Sequence, residues 1–116
     1  MRKGLTVNDC AARANLDCPC VYFIDNQLGF IKIGKTKNVW KRIHEAQTYS
    51  PLLVQCVATI NCSHIRQAED IERLLHEEFK AYRKCGEWFE LEPIREAIKD
   101  GSVHTLINKY LEGKYK

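Results

Sequence analysis

A chain of 116 residues has the size of one compact domain. Its 45% hydrophobic and 28% charged content is that of an ordinary globular protein, so disorder is not the default. A net charge of +3 is compatible with a nucleic-acid partner but too mild to require one, and no apolar run approaches the roughly 20 residues of a membrane span.

Residues 1–19 are polar. Met1-Arg2-Lys3 is not followed by an apolar core, so no secretory signal is expected and the chain reads as intracellular. Asp9 to Ala14 has room for a turn or two of helix, and Arg2, Lys3 and Arg13 are placed to touch phosphate. Cys10, Cys18 and Cys20 cluster, but no C-x-x-C pair occurs and Cys18-Pro19-Cys20 is one residue too short for a zinc knuckle. Ordinary thiols are the favoured reading. A zinc-binding interaction protein is a minor one that would need a fourth ligand from elsewhere.

Val21–Ile24 and Phe30–Ile33 are short apolar runs flanking a polar turn, the pattern of a β-hairpin. A loop of Asn26-Gln27-Leu28 would set Tyr22 opposite Lys32. A loop of Gln27-Leu28-Gly29, with Gly29 left-handed, would set Ile24 opposite Lys32. Either register leaves Tyr22 and Lys32 on one face, because side chains alternate with a period of two. Asn38 then stands as the N-cap of a helix running to about Tyr49, with Val39, Ile43 and Ala46 on its buried face and Arg42 at the edge of that face.

Leu52 to Ile60 reads as a third strand, and Asn61 and Ser63 as a turn and cap. A long helix is expected from His64 to about Lys84, burying Ala68, Ile71, Leu75, Phe79 and Tyr82, with Glu72 at the edge of the stripe. Cys85-Gly86 breaks it, and Glu87–Leu91 is a short extended run whose Trp88 and Phe89 are expected as core anchors. Pro93 opens a helix to about Lys99, and a last amphipathic helix carries Val103, Leu106, Ile107, Tyr110 and Leu111. The expected organisation is an extension at 1–19, a core at 20–92 and a helical extension at 93–116.

Taken together, several of these stretches resemble the signatures of the GIY-YIG nuclease superfamily, in the phage and bacterial branch that closes with G-E-W-F. Val21-Tyr22-Phe23 corresponds to the first signature and Lys32-Ile33-Gly34 to the second. Lys35-Thr36-Lys37-Asn38 followed by Lys41-Arg42 resembles the loop and helix of the family arginine. Gln47-Thr48-Tyr49-Ser50-Pro51 is similar to the branch's Q-T-G-N-P segment. Glu72-x-x-Leu75-His76-x-x-Phe79 and Gly86-Glu87-Trp88-Phe89 complete the match, which covers Cys20 to Leu91.

The resemblance implies an α+β fold with a three-stranded antiparallel sheet flanked by helices, and metal-dependent endonuclease cleavage of DNA in the cytoplasm of a bacterial or phage-host cell. It implies that Tyr22 accepts a proton from the attacking water, that Arg42 supports the phosphate and that Glu72 binds the divalent metal, while Gly34 lets backbone pass close beneath the site. Lys32 departs from the tyrosine in the superfamily's name.

The chemistry of these residue types agrees. Phosphodiester hydrolysis builds negative charge that preplaced cations stabilise, and arginine offers a planar fork matched to phosphate oxygens. A single carboxylate leaves most of an ion's shell to water and phosphate, which suits Mg2+ or Mn2+. A free tyrosine, with a pKa of about 10, is a poor base. Lys32 would either favour the phenolate or hydrogen-bond the attacking water. Lys35, Lys37, His44 and His76 are further candidates for substrate contact. Glu69 and Glu87 are expected to be solvated or capping, with at most a supporting role around the metal. A catalytically weak or inactive DNA-binding module of the same fold is the alternative, and a domain this small leaves target choice to a partner, a dimer or the terminal segments.

Overall fold

The computed structural model describes residues 7–8 and 19–114. Its frame is one antiparallel sheet of six strands: β1 (Val7–Asn8), β2 (Cys20–Asp25), β3 (Phe30–Thr36), β4 (Gln55–Asn61), β5 (Arg83–Cys85) and β6 (Trp88–Glu90), in the spatial order β1-β4-β2-β3-β6-β5. The α+β class is as expected, and β2, β3 and β4 are the three expected strands. The sheet is larger than three-stranded because short strands of two or three residues extend it on both sides. Such strands are too short to show alternation, so their existence depends on a neighbour to pair with. The expected helical turn at Asp9–Ala14, and Cys10 and Cys18, lie outside the described residues.

β2 is central and every one of its residues is buried. Its alternation sends Val21 and Phe23 to one side and Cys20, Tyr22 and Ile24 to the other, and these join two separate apolar clusters. The larger cluster lies under α2 (Ile65–Glu78), α3 (Leu91–Lys99) and α4 (Ser102–Lys114), with Ile71, Leu75, Ile94 and Ile107 fully buried. The smaller one lies under α1 (Val39–Thr48), whose Val39, Ile43 and Ala46 cover Tyr22 and Ile24. Because α3 and α4 fill the larger cluster, packing draws no line at residue 92.

Several local expectations need correction. Ser63 does not cap α2; His64 does, its Nδ1 accepting from the Gln67 N–H at 3.2 Å while Gln67 Oε1 accepts from the Ser63 N–H at 2.7 Å. This is a variant of the capping box, with an imidazole in the usual hydroxyl's place and the reciprocal bond made to the N–H of the residue before the cap. The long helix ends at Glu78 rather than Lys84, followed by a 3-10 turn at Lys80–Tyr82 and then β5. The pull of the sheet explains it: Gly86, at φ 57°, opens a two-residue turn that folds Arg83–Cys85 back on β6. Helix α3 starts at Leu91, so Pro93 falls within its first turn rather than opening it, where no intrahelical N–H bond is lost.

Two ties hold the site-bearing loops. Asp25 is buried; its Oδ1 accepts from the Gln27 N–H at 2.7 Å and its Oδ2 meets Arg95 of α3 at 3.5 Å. Gln47 staples the segment after α1, donating from Nε2 to the Leu52 carbonyl at 2.9 Å and accepting at Oε1 from the Val54 N–H at 2.9 Å.

Candidate active site

The hairpin adopts the register with Gln27-Leu28-Gly29 as its loop, Gly29 being at φ 89°. Ile24 pairs with Lys32 and Tyr22 with Gly34, so Tyr22 and Lys32 share a face. The Tyr22 ring lies directly across Gly34: a β-carbon added there would sit 2.5 Å from its Cζ, well inside contact distance. Gly34 is thus required for close approach. Its ring so placed, Tyr22 is 2% exposed. Burial pushes the phenol well above its ordinary pKa; Glu87 adds to the rise, Arg42 opposes it and Glu72 raises it further. The hydroxyl therefore keeps its proton at neutral pH. It stands within electrostatic reach of an arginine on α1, a glutamate on α2 and a glutamate at the β5–β6 turn.

Arg42 owes its place to the α1 cap. Asn38 Oδ1 accepts from the Lys41 N–H at 3.0 Å, and Thr36 Oγ1 accepts from the Asn38 N–H at 3.1 Å, fixing how the helix leaves β3. One turn on, Arg42 is exposed and meets Glu45 at 3.7 Å. An exposed pair of this kind contributes little and releases readily. Arg42 also stands where two clefts meet. One, of about 450 Å³, is lined by Lys35, Lys37 and Lys41; the other, of about 410 Å³, by Lys32 and Tyr49.

Glu72 reaches the same neighbourhood from α2. Its Oε2 is buried with no hydrogen-bond partner. Burial raises its carboxyl above the usual range and Glu87 raises it further, while Lys35 and His76 pull it down. An orphaned carboxylate oxygen of this kind calls for a proton or a cation. Among the described residues no group of three or more His, Cys, Asp or Glu side chains is arranged to hold a metal ion. The orphaned Glu72 oxygen fits an ion that takes one protein carboxylate and fills its shell with water and phosphate, as Mg2+ accepts.

A raised folded-state pKa has a defined consequence for stability. Between the ordinary value of 4.5 and the higher folded value the native state holds the extra proton, so stability falls as pH rises through that window. Above it the whole penalty of the buried charge is present. Metal-free Glu72→Gln is therefore expected to be more stable than wild type at neutral pH, with the difference closing as pH falls below 4.5. Denaturant unfolding of both proteins across that range checks it, and a variant less stable at neutral pH would contradict the assignment.

The structure brings Tyr22, Arg42, Glu72 and Lys35 into one electrostatic neighbourhood. Lys37 extends the basic cleft. Lys32 shares the Tyr22 face as expected; its Nζ lies 3.8 Å from Glu87 Oε1, and the cation opposing the rise at Tyr22 is Arg42. His44 is exposed on α1, two residues and so about 200° around the helix from Arg42, which puts it on the opposite flank. His76 is engaged in the fold: Nε2 donates to the Ile33 carbonyl at 2.9 Å and the ring meets Phe89 edge-on at 4.9 Å.

Two residues of the site were missed in the sequence. Glu87 acts on both Tyr22 and Glu72, although it was expected to be solvated or capping. Its position just after the turn glycine of Gly86-Glu87-Trp88-Phe89 was the available signal. Trp88 was expected in the core with Phe89. Phe89 is fully buried, but Trp88 lines a cleft beside Lys32.

Fold and site define an α+β domain in which a buried tyrosine, a helix arginine and a half-buried glutamate converge on the end of a β-hairpin. The chain belongs to the T5orf172 domain family, whose match covers residues 19–106. No curated protein and no solved structure matches it. Among the described residues no helix is long and apolar enough to cross a membrane.

Proposed function

We propose that this protein is a metal-dependent endonuclease of the GIY-YIG type, hydrolysing phosphodiester bonds in DNA. The observation that carries the reading is the convergence on the Tyr22 hydroxyl of Arg42 and Glu72, from three different elements. Arg42, between two lysine-lined clefts, binds the non-bridging oxygens of the target phosphate. Glu72 would hold Mg2+ or Mn2+, which when bound would supply positive charge against the phosphate and the leaving oxygen. Tyr22 holds its proton in the metal-free protein. To take one from water it would first have to release that proton to solvent as the phenolate forms, and positive charge set against Glu72 and Glu87, the two carboxylates that raise it, would favour that release. Lys32, paired with Glu87, offsets one of those charges.

The high proton affinity of Tyr22 also favours a second reading, a module of the same fold that binds DNA without cutting it. Supercoiled plasmid with the protein separates the two. The nuclease reading expects nicked or linear product with Mg2+, none with chelator and none from Glu72→Ala. Salt-sensitive DNA binding without product in any metal supports the module, and equal cleavage by wild type and Glu72→Ala removes the assignment. Cytoplasmic location in a bacterial or phage-host cell, and a homodimer or partner for targeting, belong to the same proposal.

A further inference from the structure

The cleft holding Lys32 and Arg42 does not end at Tyr49. A second cleft of about 320 Å³ shares Lys32, Ala46 and Tyr49 with it, so the two form one trough along the side of α1. Its character changes along its length. One end carries Arg42, and Lys32 and Tyr49 stand where the two clefts join. The other end has the Trp88 ring, a floor of Ile24 and Val54, and a lip at Pro51. Tyr49 is 88% exposed, an unusual position for a ring with nothing on it. Asn26 lines the same end; its Oδ1 accepts from the hairpin-loop N–H groups of Leu28 and Phe30, which leaves its NH2 as a donor toward the trough.

Cations beside a short aromatic slot match a nucleotide, with phosphate at one end and base at the other. A base inside a duplex is stacked on both faces, so it cannot lie on the Trp88 or Tyr49 ring without leaving the helix. We propose that this slot receives a single unpaired nucleobase next to the target phosphate, so that the preferred substrate is DNA with an unstacked nucleotide at the site, as in a bulge, a flap or a single-stranded stretch. Unstacking a paired base costs a few kcal/mol, and the cost falls where the base is already unpaired. Aromatic faces stack on any base, so the preference is for structure over sequence. The inference rests on the DNA reading of the site and deepens it.

Binding tests it independently of cleavage. The full-length chain carrying Glu72→Gln is titrated in chelator with three labelled duplexes: fully paired, with one bulged adenine, and with that bulge abasic. The bulged duplex is expected to bind about 5- to 150-fold more tightly than the abasic one, the range that one base–aromatic stack supplies. Tyr49→Ala, at an exposed position that leaves folding intact, is expected to remove most of that difference, with a much smaller effect on paired-duplex affinity. Trp88→Leu is expected to do the same. 2-Aminopurine in the bulge should change its fluorescence on binding the Glu72→Gln protein and not on binding Glu72→Gln/Tyr49→Ala. Equal affinity for bulged and abasic duplexes, or a preference that survives Tyr49→Ala, overturns the proposal. Cleavage without the base preference sinks this inference alone; base preference without metal-dependent cleavage by wild type sinks the nuclease reading alone.

Discussion

Gly34→Ala is expected to destabilise the domain by about 1–3 kcal/mol, the usual range for forcing atoms into a filled space, and to abolish the proposed cleavage. The new methyl group would overlap the Tyr22 ring, with Cζ at 2.5 Å. The ring cannot retreat, since Val39 and Ile24 pack in the same cluster and Tyr22 is 2% exposed. Each kcal/mol lost lowers Tm by about 4–8 °C for a domain near this size. A double-mutant cycle with Tyr22→Ala isolates the contact. Gly34→Ala should do little further harm once the ring is gone. If the glycine substitution is equally damaging in both backgrounds, its role lies in the strand and not beneath the tyrosine.

Arg42→Ala is the second large effect, and it should fall on rate rather than on folding. Removing one preplaced donor from a developing oxyanion lowers turnover by about 10²- to 10³-fold. Arg42 is exposed and its one described ion pair is a surface contact with Glu45, so Tm should move by less than the shift for about 0.5 kcal/mol. Arg42→Lys keeps the charge and loses the planar fork, so it should recover only part of the rate. Single-turnover cleavage with saturating protein reads the chemical step directly. A rate unchanged by Arg42→Ala would leave the site without its phosphate ligand and end the proposed mechanism.

What the sequence made legible was whatever local chemistry decides. Asn38 as N-cap, the apolar face of α1 and the hairpin itself follow from residue types within a few positions, and all are present. The register was open between two loops, and Gly29 at positive φ settles it. Long-range pairing was not legible. β5 exists because β6 is there to receive it, and the apolar spacing of Phe79 and Tyr82 continued the helical pattern past the true end of α2. Phe79 is indeed buried, yet Tyr82 is 39% exposed. The partner of Lys32 was not legible for a related reason. Sharing a face with Tyr22 fixes side, not neighbour, and the strand that arrives alongside brings Glu87 to claim it. For Glu87 the one sign was its place just after the turn glycine, and nothing local said that it would act on both the tyrosine and Glu72.

The division of β2 between two clusters has a consequence for how such a domain can diversify. Among the described residues, eighteen buried ones make up the larger cluster and five the smaller, and α1 contributes Val39 alone as a buried residue. Arg42, Tyr49 and the trough all lie on the thinner side. Substitutions there disturb few buried contacts, whereas the folding of the chain is secured on the opposite face of the sheet. A lineage could therefore rework the rim residues of α1 and the loop after it many times over, changing what the trough accepts, while the scaffold beneath stays the same.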